Sequence, residues 1–117
     1  MKIAKNISIA MKSIVRVMAF FVVLNSSHAF AWDGVVTGQI DVIQGGMAGN
    51  YPFRVVLKNG PVLCGNTNNW AFLLDTDGNY KTNAGILLSA KIAASTVILY
   101  TTRDASGYCR IDFFQIQ

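Results

Sequence analysis

The stretch Leu73–Ser95, LLDTDGNYKTNAGILLSAKIAAS, opens like a calcium-binding loop and closes like a helix. Which of the two it is decides the fold. A calcium loop wants oxygen ligands at positions 1, 3 and 5, glycine at 6 and a bidentate glutamate at 12. Asp75, Asp77 and Asn79 supply the first three, but position 6 is Tyr80 and position 12 is Ile86. The chain contains no glutamate at all, so no metal site is expected. As the start of a helix, the same residues all find a use. Asp75-Thr76-Asp77-Gly78 turns the chain out of a strand. The side chain of Asp77 or Asn79 can then cap the first helical turn. At 100° per residue, Tyr80, Ala84, Ile86, Leu87, Leu88, Ala90, Ala93 and Ala94 form one broad apolar arc. Lys81, Thr82, Gly85 and Ser89 lie opposite. The pattern predicts an amphipathic helix over Tyr80–Ala94, with Gly85 where it passes close to a neighbour.

On both sides of this helix the chain reads as strands. Val35–Ile43 alternates, with Val36, Gly38, Ile40 and Val42 on one face and Thr37, Gln39 and Asp41 on the other. QGGMAGN (Gln44–Asn50) is glycine-rich and reads as a flexible loop. Tyr51–Lys58 is a second strand with Phe53, Val55 and Leu57 on one face, and Pro52 near its start or at an edge. Turns at Asn59-Gly60 and Asn66–Asn69 precede a short third strand, Trp70–Leu74. Beyond the helix, Thr96–Thr102 is β-branched and aromatic, as strands are. A loop at Arg103–Gly107 leads into Tyr108–Ile116. There Cys109, Ile111 and Phe113 share one face, and Tyr108, Arg110 and Asp112 give way to Phe114 and Ile116 on the other.

The order is therefore β-β-β-α-β-β. A five-stranded Greek-key barrel with one helix between strands 3 and 4 has the OB-fold arrangement, in which the helix plugs one end of the barrel. The alternative is an α+β sheet with the helix packed across one face.

The N-terminus bears on compartment. Lys2, Lys5, Lys12 and Arg16 precede the apolar run Val17–Leu24, and Ala29-Phe30-Ala31 follows. This reads as a secretory signal peptide over residues 1–31, leaving 32–117 as the folded domain. Met11-Lys12 also begins a leader of usual length. The apolar run is too short for the roughly 20-residue helix that spans a bilayer, so no stable membrane insertion is expected. The formal charge of +4 belongs to the leader: six basic residues and all six aspartates remain after it. With no basic excess, nucleic-acid binding is not expected. In an exported domain the pair Cys64 and Cys109 reads as one disulfide. The product is expected in the periplasm or outside the cell.

The residues also limit the chemistry. The only histidine, His28, lies in the leader. Catalysis by Ser-His-Asp, Cys-His or paired glutamates, and zinc held by histidine, lack their residues in 32–117. No catalytic residue and no cofactor is expected. Binding is the better class. OB folds take ligands on strands 2–3 and on the loops joining strands 1–2 and 4–5. Those regions hold Tyr51, Arg54, Trp70, Arg103 and Tyr108, with Asn66, Asn68 and Asn69 nearby. Aromatic faces with amide and guanidinium donors suit a sugar ring or a protein edge. The ordinary fate of Trp70, at the head of a short strand, is the core. The asparagines also suit plain turns.

The pattern GQIDVI … YPFRVVL … LCGNT … NYKTNAGILLSAKIAASTVILY … GYCRIDFFQI resembles small secreted proteins of Gram-negative bacteria with no assigned function. More remotely, it is similar to the OB-like B subunits of pertussis- and subtilase-type AB5 toxins. The second resemblance implies a secreted, disulfide-bonded, pentameric, glycan-binding module. Those subunits carry more cysteines, and none of their sugar-contacting residues has a counterpart here. Oligomer formation and sugar binding are thus expectations by analogy. The reading is a secreted or periplasmic, non-enzymatic binding module, glycan-binding like such a B subunit. The alternative is a periplasmic structural or inhibitor-like protein that binds another protein.

Overall fold

A computed structural model describes residues 31–117; the expected signal peptide falls almost wholly outside them. Five strands and one helix follow in the expected order: β1 (Gly34–Gly45), β2 (Phe53–Leu57), β3 (Trp70–Phe72), α1 (Tyr80–Ile92), β4 (Thr96–Arg103) and β5 (Cys109–Ile116). The strands close a barrel in the order β1-β2-β3-β5-β4, and β1 also pairs with β4. All pairings are antiparallel except β3 with β5. This is the OB-like barrel, not the open α+β sheet. Among the described residues no helix is long and apolar enough to cross a membrane.

The inward residues of β2, Phe53, Val55 and Leu57, are buried as their alternation requires. They meet Ile40, Leu63, Ala71, Leu73, Leu87, Ala90, Val97, Leu99 and Ile111 in one core. Two strands depart from simple alternation, each at an aspartate. In β1 the register with β2 shifts between Ile40 and Val42, which leaves Asp41 as an extra residue. A bulge inverts the facing of everything after it. Val42, expected beside Ile40, is therefore exposed, and Ile43 packs on the core instead. In β5 the shift between Tyr100 and Thr101 of β4 leaves Asp112 extra. Phe113, expected inside with Ile111, is turned out at 49% exposure, and Phe114 packs inward.

Both bulges are tied down by side chains. Lys91 Nζ of α1 donates to the Asp41 carbonyl at 2.7 Å. The Asp112 carboxylate accepts from Thr102 Oγ1 and from Arg110 Nε, the latter at 2.7 Å. Such bulges bend and twist strands, which closure of a small barrel requires.

The helix packs more narrowly than its arc predicts. Leu87 and Ala90 are buried, with Tyr80 and Ala84 against the core. Ile86 and Leu88, 100° to either side of Leu87, are both exposed, and Ile92 is 87% exposed. Gly85 has no neighbour within 4 Å of its missing Cβ, so no close approach explains it. At the start, Asn79 occupies the N-cap position but its side chain makes no cap bond. Asp77 Oδ1 accepts the Asn79 N–H at 2.9 Å, a local turn rather than a cap of the first helical N–H groups. At the end, Ser95 N–H bonds Ala90 O and Ala94 N–H bonds Lys91 O, which satisfies two orphan carbonyls. Ala94 makes that closure at φ 51°, where glycine is usual.

Cys64, in the β2–β3 loop, bonds Cys109, the first residue of β5, with Cα atoms 5.7 Å apart. Around the bridge the packing is tight. Leu63, Cys64, Thr101 and Cys109 are fully buried. Thr101 Oγ1 donates to the Leu63 carbonyl, so this buried hydroxyl is satisfied. A Cβ on Gly34 would lie 2.0 Å from that same carbonyl oxygen, so β1 can start here only with glycine.

Candidate binding site

Three segments distant in sequence bring aromatic rings together. Tyr51 ends the β1–β2 loop, Trp70 and Phe72 belong to β3, and Tyr108 ends the β4–β5 loop. Tyr51 sits edge-on to Phe72, Tyr108 and Trp70, with ring centroids at 4.5, 5.0 and 5.8 Å. Trp70 and Tyr108 lie 5.0 Å apart with their planes only 32° from parallel. Trp70 is half-buried rather than core, and Tyr108 is 37% exposed. Phe72, 3% exposed, is the floor beneath them. Edge-to-face and offset contacts of this kind are each worth about 0.5–1.5 kcal/mol beyond area burial. The result is a partly exposed aromatic platform on the surface where β2, β3 and two loops meet.

Tyr51 is held there against its backbone preference. Its φ of 50° lies in the left-handed region, which is unfavourable for a bulky residue. Arg54 imposes the conformation: Nε donates to the Tyr51 carbonyl at 3.1 Å and Nη2 to the Asn50 carbonyl at 3.2 Å. The same guanidinium lies 4.6 Å over the Trp70 ring, a cation–π contact. Arg54 is thus a positioning residue more than a free ligand donor. From the other side, Tyr51 Oη donates to Asp104 Oδ2 at 3.1 Å. Asp104 Oδ1 meanwhile accepts the backbone N–H groups of Ser106 and Tyr108, both at 2.9 Å. One carboxylate therefore shapes the β4–β5 loop and fixes Tyr51 across to it. The Tyr51 hydroxyl is pushed above the ordinary tyrosine range, first by desolvation and further by Asp104, with a hydrogen bond from Ser106 opposing.

Four of the five residues expected at the site, Tyr51, Arg54, Trp70 and Tyr108, meet in this cluster. Arg103 does not join it. Its side chain reaches Asp33 at 3.8 Å, and Asp33 Oδ2 also accepts the Arg103 N–H at 2.7 Å. The pair joins the start of β1 to the end of β4. Asn66 and Asn68 each donate a side-chain N–H to the Gly107 carbonyl, at 2.9 and 3.1 Å, so their amides brace the β4–β5 loop. Phe72 and Asp104 were not among the expected site residues. Asp104 has a signal in hindsight: an aspartate opening Asp104-Ala105-Ser106-Gly107 is an Asx-turn former. Phe72 has none, because an apolar residue in a strand reads as core whether or not a site lies above it.

Asp75 and Asp77 serve the backbone: Asp75 Oδ2 accepts the Gly49 N–H at 3.1 Å, and Asp77 accepts Asn79. Among the described residues no three metal-ligating side chains converge. Beside the platform, a cavity of about 260 Å³ is lined by Tyr51, Pro52, Phe72, Leu74, Asp75, Asp104 and Arg110 among others. Compared with protein-family models, with curated proteins and with solved structures, the chain has no match, so any function is argued from this geometry alone.

Proposed function

We propose that this chain is an exported, non-enzymatic binding module that takes a sugar ring on the Tyr51–Trp70–Tyr108 platform. The observation that carries the reading is the convergence of three rings from separate segments onto one partly exposed surface. Packing alone would have buried them; instead the chain accepts a left-handed Tyr51, braced by Arg54 and Asp104, to keep the platform in place. Exposed, pre-arranged aromatic faces with few mobile side chains favour ligands that present a flat C–H surface, as pyranose rings do. The absence of histidine and glutamate from 32–117 supports a binding role over catalysis. Export to the periplasm or beyond is supported by the basic-apolar-AFA start and fits the disulfide. The remote similarity to AB5 toxin B subunits points the same way by analogy.

A glycan array probed with the oxidised protein tests this reading. Wild type should bind a restricted set of glycans, and Tyr108→Ala, on the exposed side of the platform, should lose that binding while melting as wild type does. An array without signal would sink the reading. A second reading, a structural or inhibitor-like protein with a protein partner or a second copy of itself, has its own observation. Val35, Tyr100 and Phe113 are cross-strand neighbours on the outside of β1, β4 and β5, with Trp32 5.5 Å from Tyr100. Sedimentation of the oxidised protein tests the self-association form of it.

A further inference from the structure

β3 ends at Phe72, and its pairing with β5 covers only Ala71 with Cys109 and Phe72 with Arg110. From Ile111 to Ile116, β5 has β4 on one side and, among the described residues, no strand on the other. Three cavities run along that open side. The one beside Tyr51 shares Leu73, Leu74 and Arg110 with a second, of about 210 Å³. The second shares Leu73, Asp77, Asn83, Ile111 and Asp112 with a third, of about 370 Å³, which ends at Ile86 of α1 and at Phe113 and Phe114. Together they make a groove between β5 and the Leu73–Asn83 segment.

Its charge is one-sided. Four of the six aspartates in the chain line it: Asp75, Asp77, Asp104 and Asp112. Arg110 is the one cation along it, and Arg110 is already paired with Asp112.

We propose that this groove docks an extended, basic peptide segment of a partner protein, laid along β5 as an added strand. An open strand edge presents backbone N–H and C=O groups at β spacing, and the ligand that matches them is another extended chain. Leu73, Ile86 and Phe114 offer apolar contact to alternate side chains of such a segment. The carboxylates select lysine or arginine at the remaining positions and disfavour an acidic segment. The proposal is independent of the sugar platform.

Selection of phage-displayed random octapeptides on the oxidised protein tests it, followed by titration of the enriched peptides into ¹⁵N-labelled protein. Enriched sequences should carry Lys or Arg alternating with apolar residues. Their binding should weaken with salt, and amide shifts should map to Leu73–Asn83 and Ile111–Phe114. The double variant Asp75→Asn with Asp77→Asn keeps both backbone acceptors and removes two charges; it should lose about tenfold in affinity at unchanged melting temperature. Should that variant melt early, Leu74→Trp, which fills the groove from an exposed position, replaces it with the same expectation. No enrichment, enrichment without basic residues, shifts confined to Trp70 and Tyr108, or full affinity in the folded variant would each overturn the proposal.

Discussion

The two ends of β3 are built on opposite terms. At the disulfide, Gly34, Leu63, Cys64, Thr101 and Cys109 meet with no space to spare, and the buried hydroxyl is satisfied. At the platform, rings that would gain by full burial stay partly exposed, and Tyr51 is held in a conformation it disfavours. The first region supplies stability and tolerates no added atom. The second spends some of that stability on a surface. Strain that persists only because its surroundings impose it marks functional sites more often than structural ones. The comparison therefore assigns the two regions different jobs, and each substitution below tests that division.

The largest effect belongs to the disulfide. The bridge joins residues 45 apart in sequence, a loop whose closure is worth about 4 kcal/mol by chain entropy. Reduction, or paired Cys64→Ser and Cys109→Ser, should lower the melting temperature by roughly 15–30 °C for a domain of this size. Scanning calorimetry with and without reductant reads this, and an unchanged transition would show that the knot does not stabilise the fold. Next is Gly34→Ala, whose Cβ would press on a backbone carbonyl that cannot move without shifting the disulfide loop. A cost of about 1–3 kcal/mol is expected from overpacking, measured by urea unfolding. A neutral result would mean the start of β1 is looser than drawn.

Relief of strain should separate the regions further. Ala94, also left-handed at φ 51°, closes the helix and touches no site. Ala94→Gly should stabilise by about 0.5–1 kcal/mol, since glycine carries no penalty there. The smallest effect is in pH. Because folding raises the Tyr51 pKa, its contribution is complete below the ordinary tyrosine value of about 10 and is lost as pH rises through the folded one. Ultraviolet titration of the phenolates should find one tyrosine ionising late in wild type and not in Tyr51→Phe.

The barrel was legible because its signals are periodic. Alternation in β2, the turn residues around β3 and the helix after Asp77 each point to one element, and only one closed topology uses them in that order. The bulges were not legible. Nothing in IDVI or RIDFF announces that Asp41 or Asp112 is an extra residue, because a bulge is fixed by the partner strand. One residue of slip was enough to turn Val42 and Phe113 outward. At the site, residue types were readable and their partners were not. Arg54 and Arg103 look alike in sequence. One lies over Trp70 and the other reaches Asp33, because the loop geometry around Tyr51 places only Arg54 within reach.

The most direct test is a calorimetric titration of the strongest array glycan into Tyr108→Ala, with its melting temperature recorded beside wild type. The division of labour predicts an unchanged fold, a melting temperature within about 4 °C of wild type, and binding lost or weakened by tenfold or more. Wild-type affinity in a folded Tyr108→Ala would contradict it.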